Sequence, residues 1–191
     1  MAKIFQVKGR QVFDSRGNPT VEAEVYLDNG ISASSIAPSG ASTGAFEAYE
    51  LRDNDKNIFL GKSVKKAVKN INTVINEKLK NLNSNEQLKI DETLIKLDDS
   101  DNKKNLGANA ILSVSLAIAK VSAATNKKSL FKNLGKQYTL PIPLMNIING
   151  GAHADNDLKI QEFMIRPDSA VNIMEAIHKC FLVIQNLKDL L

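Results

Sequence analysis

From Thr20 to Leu27 the chain alternates strictly, with Val21, Ala23, Val25 and Leu27 on one side and Glu22, Glu24 and Tyr26 on the other. A period of two puts the apolar set on one face of a strand and the polar set on the opposite face. Such a segment belongs in an antiparallel sheet with one buried and one wet face. Its neighbours supply the partners. Ile4 to Phe13 is a β-rich run ended by Asp14-Ser15-Arg16-Gly17-Asn18-Pro19, a cluster of chain-reversing residues. Asp28-Asn29-Gly30 is a hairpin turn, and Ile31 to Ala37 reads as a third strand. The spacing predicts a three-stranded meander.

Beyond it the period becomes helical. Ser63 can cap a helix in which Val64, Ala67, Val68, Ile71, Val74, Ile75 and Leu79 recur at three- and four-residue spacing. A shorter helix is expected over Glu86 to Leu97, and another over Ala108 to Ala124, apolar or small nearly all round and therefore buried. Strands followed by helices define an α+β domain. Near residue 140 the character shifts again. Leu140-Pro141-Ile142-Pro143 is a stiff linker, Leu144 to Ile148 a short apolar strand, Ile160 to Ile165 a second strand, and Ser169 to Leu190 a long amphipathic helix. The expected domains are 1–138 and 139–191. The second is short of a closed core, since one helix and two strands leave apolar edges bare.

Composition narrows the function classes. The net charge of +4 is spread thinly, with no basic block of the kind that follows phosphate backbones, so nucleic-acid binding is not expected. Cys180, the single cysteine, excludes an internal disulfide and sits in an apolar string where it reads as a small buried hydrophobe. The N-terminus shows no signal-peptide pattern. The longest apolar run, Ala108 to Ala119, is interrupted by serines and is too short for a membrane span. A soluble, cytoplasmic protein is the expectation.

Three places could carry chemistry. Pro38-Ser39-Gly40-Ala41-Ser42-Thr43-Gly44 combines two glycines with three hydroxyls that can meet an anion or a hard cation, but it lacks a Walker lysine and taken alone reads as a turn. Asn149-Gly150-Gly151-Ala152-His153-Ala154-Asp155-Asn156-Asp157 follows a strand end, where sites form in α/β architectures. His153, Asp155 and Asp157 alternate along one short loop, an arrangement that rarely converges on one ion. Gln161 and Glu162 interrupt the next strand side by side. Successive residues point to opposite faces, so one of them could face a cavity, and an edge strand with a wet face is the equal alternative.

Taken in order, DSRGNPTV (Asp14 to Val21), PSGASTG (Pro38 to Gly44), ELRD (Glu50 to Asp53), LGANAIL (Leu106 to Leu112), MNIINGGAHAD (Met145 to Asp155) and QEFMI (Gln161 to Ile165) resemble the enolase family along essentially the whole chain. The resemblance implies a small α+β domain followed by the start of a βα barrel. It implies dehydration of 2-phosphoglycerate to phosphoenolpyruvate with two Mg2+ ions. Ser39, Gly40 and Ala41 then lie in a flap that closes over substrate, and Ser42 reaches the second Mg2+. His153 is a loop histidine that closes towards the substrate, and Gln161 and Glu162 touch the substrate and its departing hydroxyl. His153 and Glu162 are the implied catalytic residues, and the complete protein is implied to be a homodimer.

The same resemblance puts the family's general acid, catalytic lysine, three carboxylate ligands of the tight Mg2+ and phosphate-binding Arg and Ser beyond Leu191. The chain alone is accordingly expected to be inactive. A non-catalytic, enolase-derived protein that acts by binding or by pairing with intact subunits is the alternative. Four positions depart from the family pattern: Lys159 stands for an acidic residue, Asp99-Ser100 for Gly-Thr, and Asn54 for Gly.

Overall fold

The computed structural model describes residues 2–40 and 44–191, which divide into two compact units, 2–40 with 44–136, and 137–191. In the first, β1 (Ile4–Phe13), β2 (Pro19–Leu27) and β3 (Ser32–Ala37) form an antiparallel sheet in that order. The registers Val7 to Val25 and Val25 to Ala33 set the odd-numbered apolar residues of β2 on the covered face. Val21, Ala23 and Val25 are fully buried there. On the wet face Arg10 of β1 bridges Glu22 and Glu24 across the strand pair.

The helical segment over 65–79 is α1 (Lys65–Asn70) and α2 (Asn76–Leu79), joined by a π-helical turn at Ile71–Ile75. Ala67, Ile71, Ile75 and Leu79 are fully buried, whereas Val74, expected on the same face, is exposed. The wider turn rotates Val74 away from the sheet. Ser63 does not cap this helix. Its hydroxyl donates to Gln11, and the carboxylate of Asp53 accepts the N–H groups of Lys65 at 3.0 Å and Lys66 at 2.9 Å. A distant carboxylate outcompetes the adjacent hydroxyl because it meets two orphan donors with a full negative charge.

The helix also sits against the outer edge of β1. Gly9 makes the approach possible, since a Cβ there would lie 2.9 Å from that of Ile71. Asn76 accepts the N–H of Val7 at 2.7 Å, and Asn72 accepts that of Gly9 at 2.8 Å and donates to its carbonyl. The two asparagines do for β1 what another strand would do.

Next come α3 (Gln87–Asp98), α4 (Ala108–Thr125) and α5 (Leu130–Leu134). α4 packs on β2 and β3 and buries Ala110, Val114, Ala117, Ile118 and Val121. It is not buried all round, because Leu112 and Leu116 are exposed along one stripe. At 18 residues and a mean hydropathy of 1.4 it is, by length and composition, apolar enough to cross a membrane, being longer than the apolar run 108–119 read from the sequence. It serves instead as the core helix over the sheet.

In the second unit β4 (Met145–Asn149) and β5 (Glu162–Ile165) pair antiparallel, and α6 (Ile173–Leu190) follows. Asn146 interrupts the apolar string of β4, and none of the strand's side chains is fully buried. α6 begins four residues later than Ser169. Asn172 accepts the Glu175 N–H at 2.9 Å while the Glu175 carboxylate accepts the Val171 N–H at 3.0 Å, a reciprocal cap that fixes the first turn. The Leu140 to Pro143 stretch does more than link, since with Pro167, Val171 and Ala176 it walls an apolar groove of about 390 Å³. Ala176 and Cys180 are the buried apolar side chains of this unit.

Candidate functional site

The second unit gathers one polar cluster on the loop between β4 and β5. The loop is shaped by close backbone approach: Gly150 donates to Gln161 O at 3.0 Å and Gly151 to Leu158 O at 2.7 Å. A Cβ on Gly150 would lie 2.5 Å from the Ile160 carbonyl, so no other residue fits without moving backbone. Asn156 closes the loop by donating to Asn149 O at 3.0 Å. The turn Gly151–His153 then directs the His153 ring back towards β5.

His153 Nδ1 lies 2.8 Å from Glu162 Oε1, and His153 Nε2 lies 2.6 Å from Gln161 Nε2. With Glu162 ionised the carboxylate can only accept, which puts the proton on Nδ1. Nε2 is then the acceptor for the Gln161 amide N–H, and the pairing fixes one tautomer of the ring. His153 and Glu162 are both partly open, at 21% and 29% side-chain exposure. Such a dyad can hydrogen-bond a hydroxyl or an oxyanion and pass a proton between a carboxyl and an imidazole.

Both Gln161 and Glu162 meet His153, which the strand period disfavoured. β5 begins at Glu162, so Gln161 lies outside the pleat and its side chain is not bound to the opposite face. Asp155 and Asp157 do not join the cluster. Among the described residues no group of three or more His, Cys, Asp or Glu could hold a metal ion, so these side chains do not fit a Mg2+ site. No step through magnesium is derived.

Ser39 and Gly40 belong to the first unit, just past β3. Ala41 and Ser42 lie outside the described residues. The Ser39 hydroxyl donates to Glu50 Oε1 at 2.5 Å and accepts from Arg52 Nη2 at 2.6 Å. Arg16, on the turn after β1, donates to Ser39 O at 2.6 Å. That turn is held by Asp14, which accepts the Arg16 and Asn18 N–H groups at 2.9 Å. The Asn18 N–H is the main reason the Asp14 carboxyl lies below its ordinary range, with the Arg16 N–H and guanidinium adding to it. Arg52 also donates to the carbonyls of Pro19 and Lys62, and Asn109 of α4 binds both the N–H and the carbonyl of Leu51. Glu50, Arg52 and Asn109 were not singled out as site residues from the sequence. The signal available was that the ELRD and LGANAIL blocks belong to the same resemblance as the Ser/Gly segment.

A three-stranded meander with helices, followed by a separate unit of two strands and a helix, defines a chain of two α+β units. A sequence model of the enolase N-terminal domain matches residues 4–134, and one of the enolase C-terminal TIM barrel domain matches residues 137–191. A curated protein of Pelagibacter ubique (strain HTCC1062) named "Enolase" is 57% identical over 193 residues, covering 100% of this chain and 46% of that protein. The chain belongs to the enolase family. It spans about half the length of the relative it matches.

Proposed function

We propose that this chain serves the dehydration of 2-phosphoglycerate to phosphoenolpyruvate, a carbon–oxygen lyase reaction of glycolysis and gluconeogenesis, as part of a complete enolase. The observation that carries the reading is the convergence of His153, Gln161 and Glu162 on one open cluster, in a chain of this family. The reaction removes the C2 proton of the substrate and expels the C3 hydroxyl, which leaves as water once protonated. On this reading Glu162 and Gln161 stand beside that hydroxyl, where Glu162 in its protonated form can give a hydrogen bond to the departing oxygen. His153 orients Glu162 through Nδ1 and approaches the substrate with its loop. Gly40 and Ala41 contribute from the segment after β3, which Ser39 leads into.

Magnesium, with Ser42 as a ligand of the second ion, enters this proposal through the family alone. So do the homodimer and the cytoplasmic compartment. Residues 1–191 by themselves are proposed to position substrate groups without turning substrate over.

The test follows phosphoenolpyruvate by its ultraviolet absorbance in the complete gene product. Glu162→Gln and His153→Gln are expected to lower kcat by about 10²-fold or more, the usual worth of a placed acid–base group. Wild-type turnover that neither substitution changes would remove both residues from the reaction, and no wild-type turnover would remove the function.

A further inference from the structure

We propose that the Ser39 hydroxyl is a positioning group rather than a ligand contact: Glu50 and Arg52 clamp it, and Asn109 clamps them, so that the chain leaves β3 at Gly40 in one fixed direction. A hydroxyl has one donor and two acceptor sites. The donor of Ser39 is spent on Glu50 at 2.5 Å, and an acceptor site is filled by Arg52 at 2.6 Å. Its carbonyl is tied as well, by Arg16. Arg52 in turn pairs with Glu50 at 2.8 Å and reaches Pro19 O and Lys62 O, so one guanidinium joins four stretches of chain.

The clamp has its own support. Asn109 accepts the Leu51 N–H at 3.2 Å and donates to the Leu51 carbonyl at 3.1 Å, as a neighbouring strand would. Tyr49, on the same stretch, donates to Asn102 O at 2.6 Å and accepts from the Ala108 N–H at 2.8 Å. The contact needs Gly107, whose φ is +95° and whose Cβ would lie 2.5 Å from that of Leu51. The ELRD and LGAN blocks thus form one scaffold for the residue at the stem of the Ser/Gly segment.

The inference rests on the enolase reading only in that the segment beyond Ser39 is taken to meet substrate. The experiment has two arms. In the 191-residue chain, Ser39→Ala, Glu50→Ala and the double variant are compared by thermal unfolding and amide exchange. Ser39→Ala is expected to lower the midpoint by roughly 2–4 °C and to speed Gly40 exchange about tenfold. The double variant is expected to melt no lower than Glu50→Ala alone, because the two act as a unit, and Ser39→Thr restores the midpoint. In the complete gene product, Ser39→Ala is expected to lower kcat about tenfold with KM within twofold.

Additive losses in the first arm, or a raised KM with kcat retained in the second, would overturn the clamp. Absence of wild-type turnover removes the enolase reading and leaves the clamp standing on the first arm.

Discussion

Asp53 shows how one side chain can hold an element from a distance. Burial alone would raise its carboxyl pKa, but the N–H groups of Lys66 and Lys65 outweigh that and help hold it below the ordinary value. A carboxyl depressed in the folded state adds stability above its unfolded value near ~4, and this is lost as pH falls through the folded value. Asp53→Ala is therefore expected to cost about 1 kcal/mol at pH 7, the usual worth of a helix cap. The gap to wild type should close below about pH 4, which paired urea titrations across pH would reveal. A constant gap would mean that the carboxylate charge has no part in the cap. Asn54 and Asp99, where the resemblance leads one to expect glycine, have φ of +60° and +53°. Asn and Asp tolerate that left-handed region better than other side chains, which explains why they stand there. The sequence marked both as departures. Only the backbone shows why these two residue types serve.

At the scale of elements, the meander was legible because its alternation and its turn residues agree. The α1–α2 segment was legible in extent but not in face, since a π-helical turn leaves no mark in a three-four spacing and moves Val74 into solvent. The start of α6 was missed because Asn172 and Glu175 form their cap inside a run read as already helical. For the candidate site, His153, Gln161 and Glu162 stood out in the residue pattern and took their roles from the resemblance. Their mutual pairing was not, because it depends on where β5 begins. Gly150 is the element-level determinant of that pairing. Gly150→Ala forces a methyl against the Ile160 carbonyl and is expected to cost about 1–3 kcal/mol. Amide exchange at Gly150 and Gly151 should rise together, and unchanged protection there would show that the loop can yield.

The whole molecule divides into a closed unit and an open one. Residues 2–136 contain the contiguous buried core, whereas Phe163, Met164, Ile177, Phe181, Leu182 and Val183 of the second unit are exposed. Local opening is easiest where few apolar side chains are buried. Brief proteolysis of the 191-residue chain is expected to cut within 137–191 first and to leave a resistant product near residues 2–136. Survival of α6 while the first unit is digested would contradict this. The asparagines of the first helical segment bear on another hazard. With Asn72 and Asn76 occupying the outward N–H groups of Val7 and Gly9, the free margin of β1 has no vacant donors at those positions to recruit a foreign strand. Fibre-like stacking of this sheet, if provoked, is expected to start at β3 in preference to the Val7–Gly9 stretch of β1.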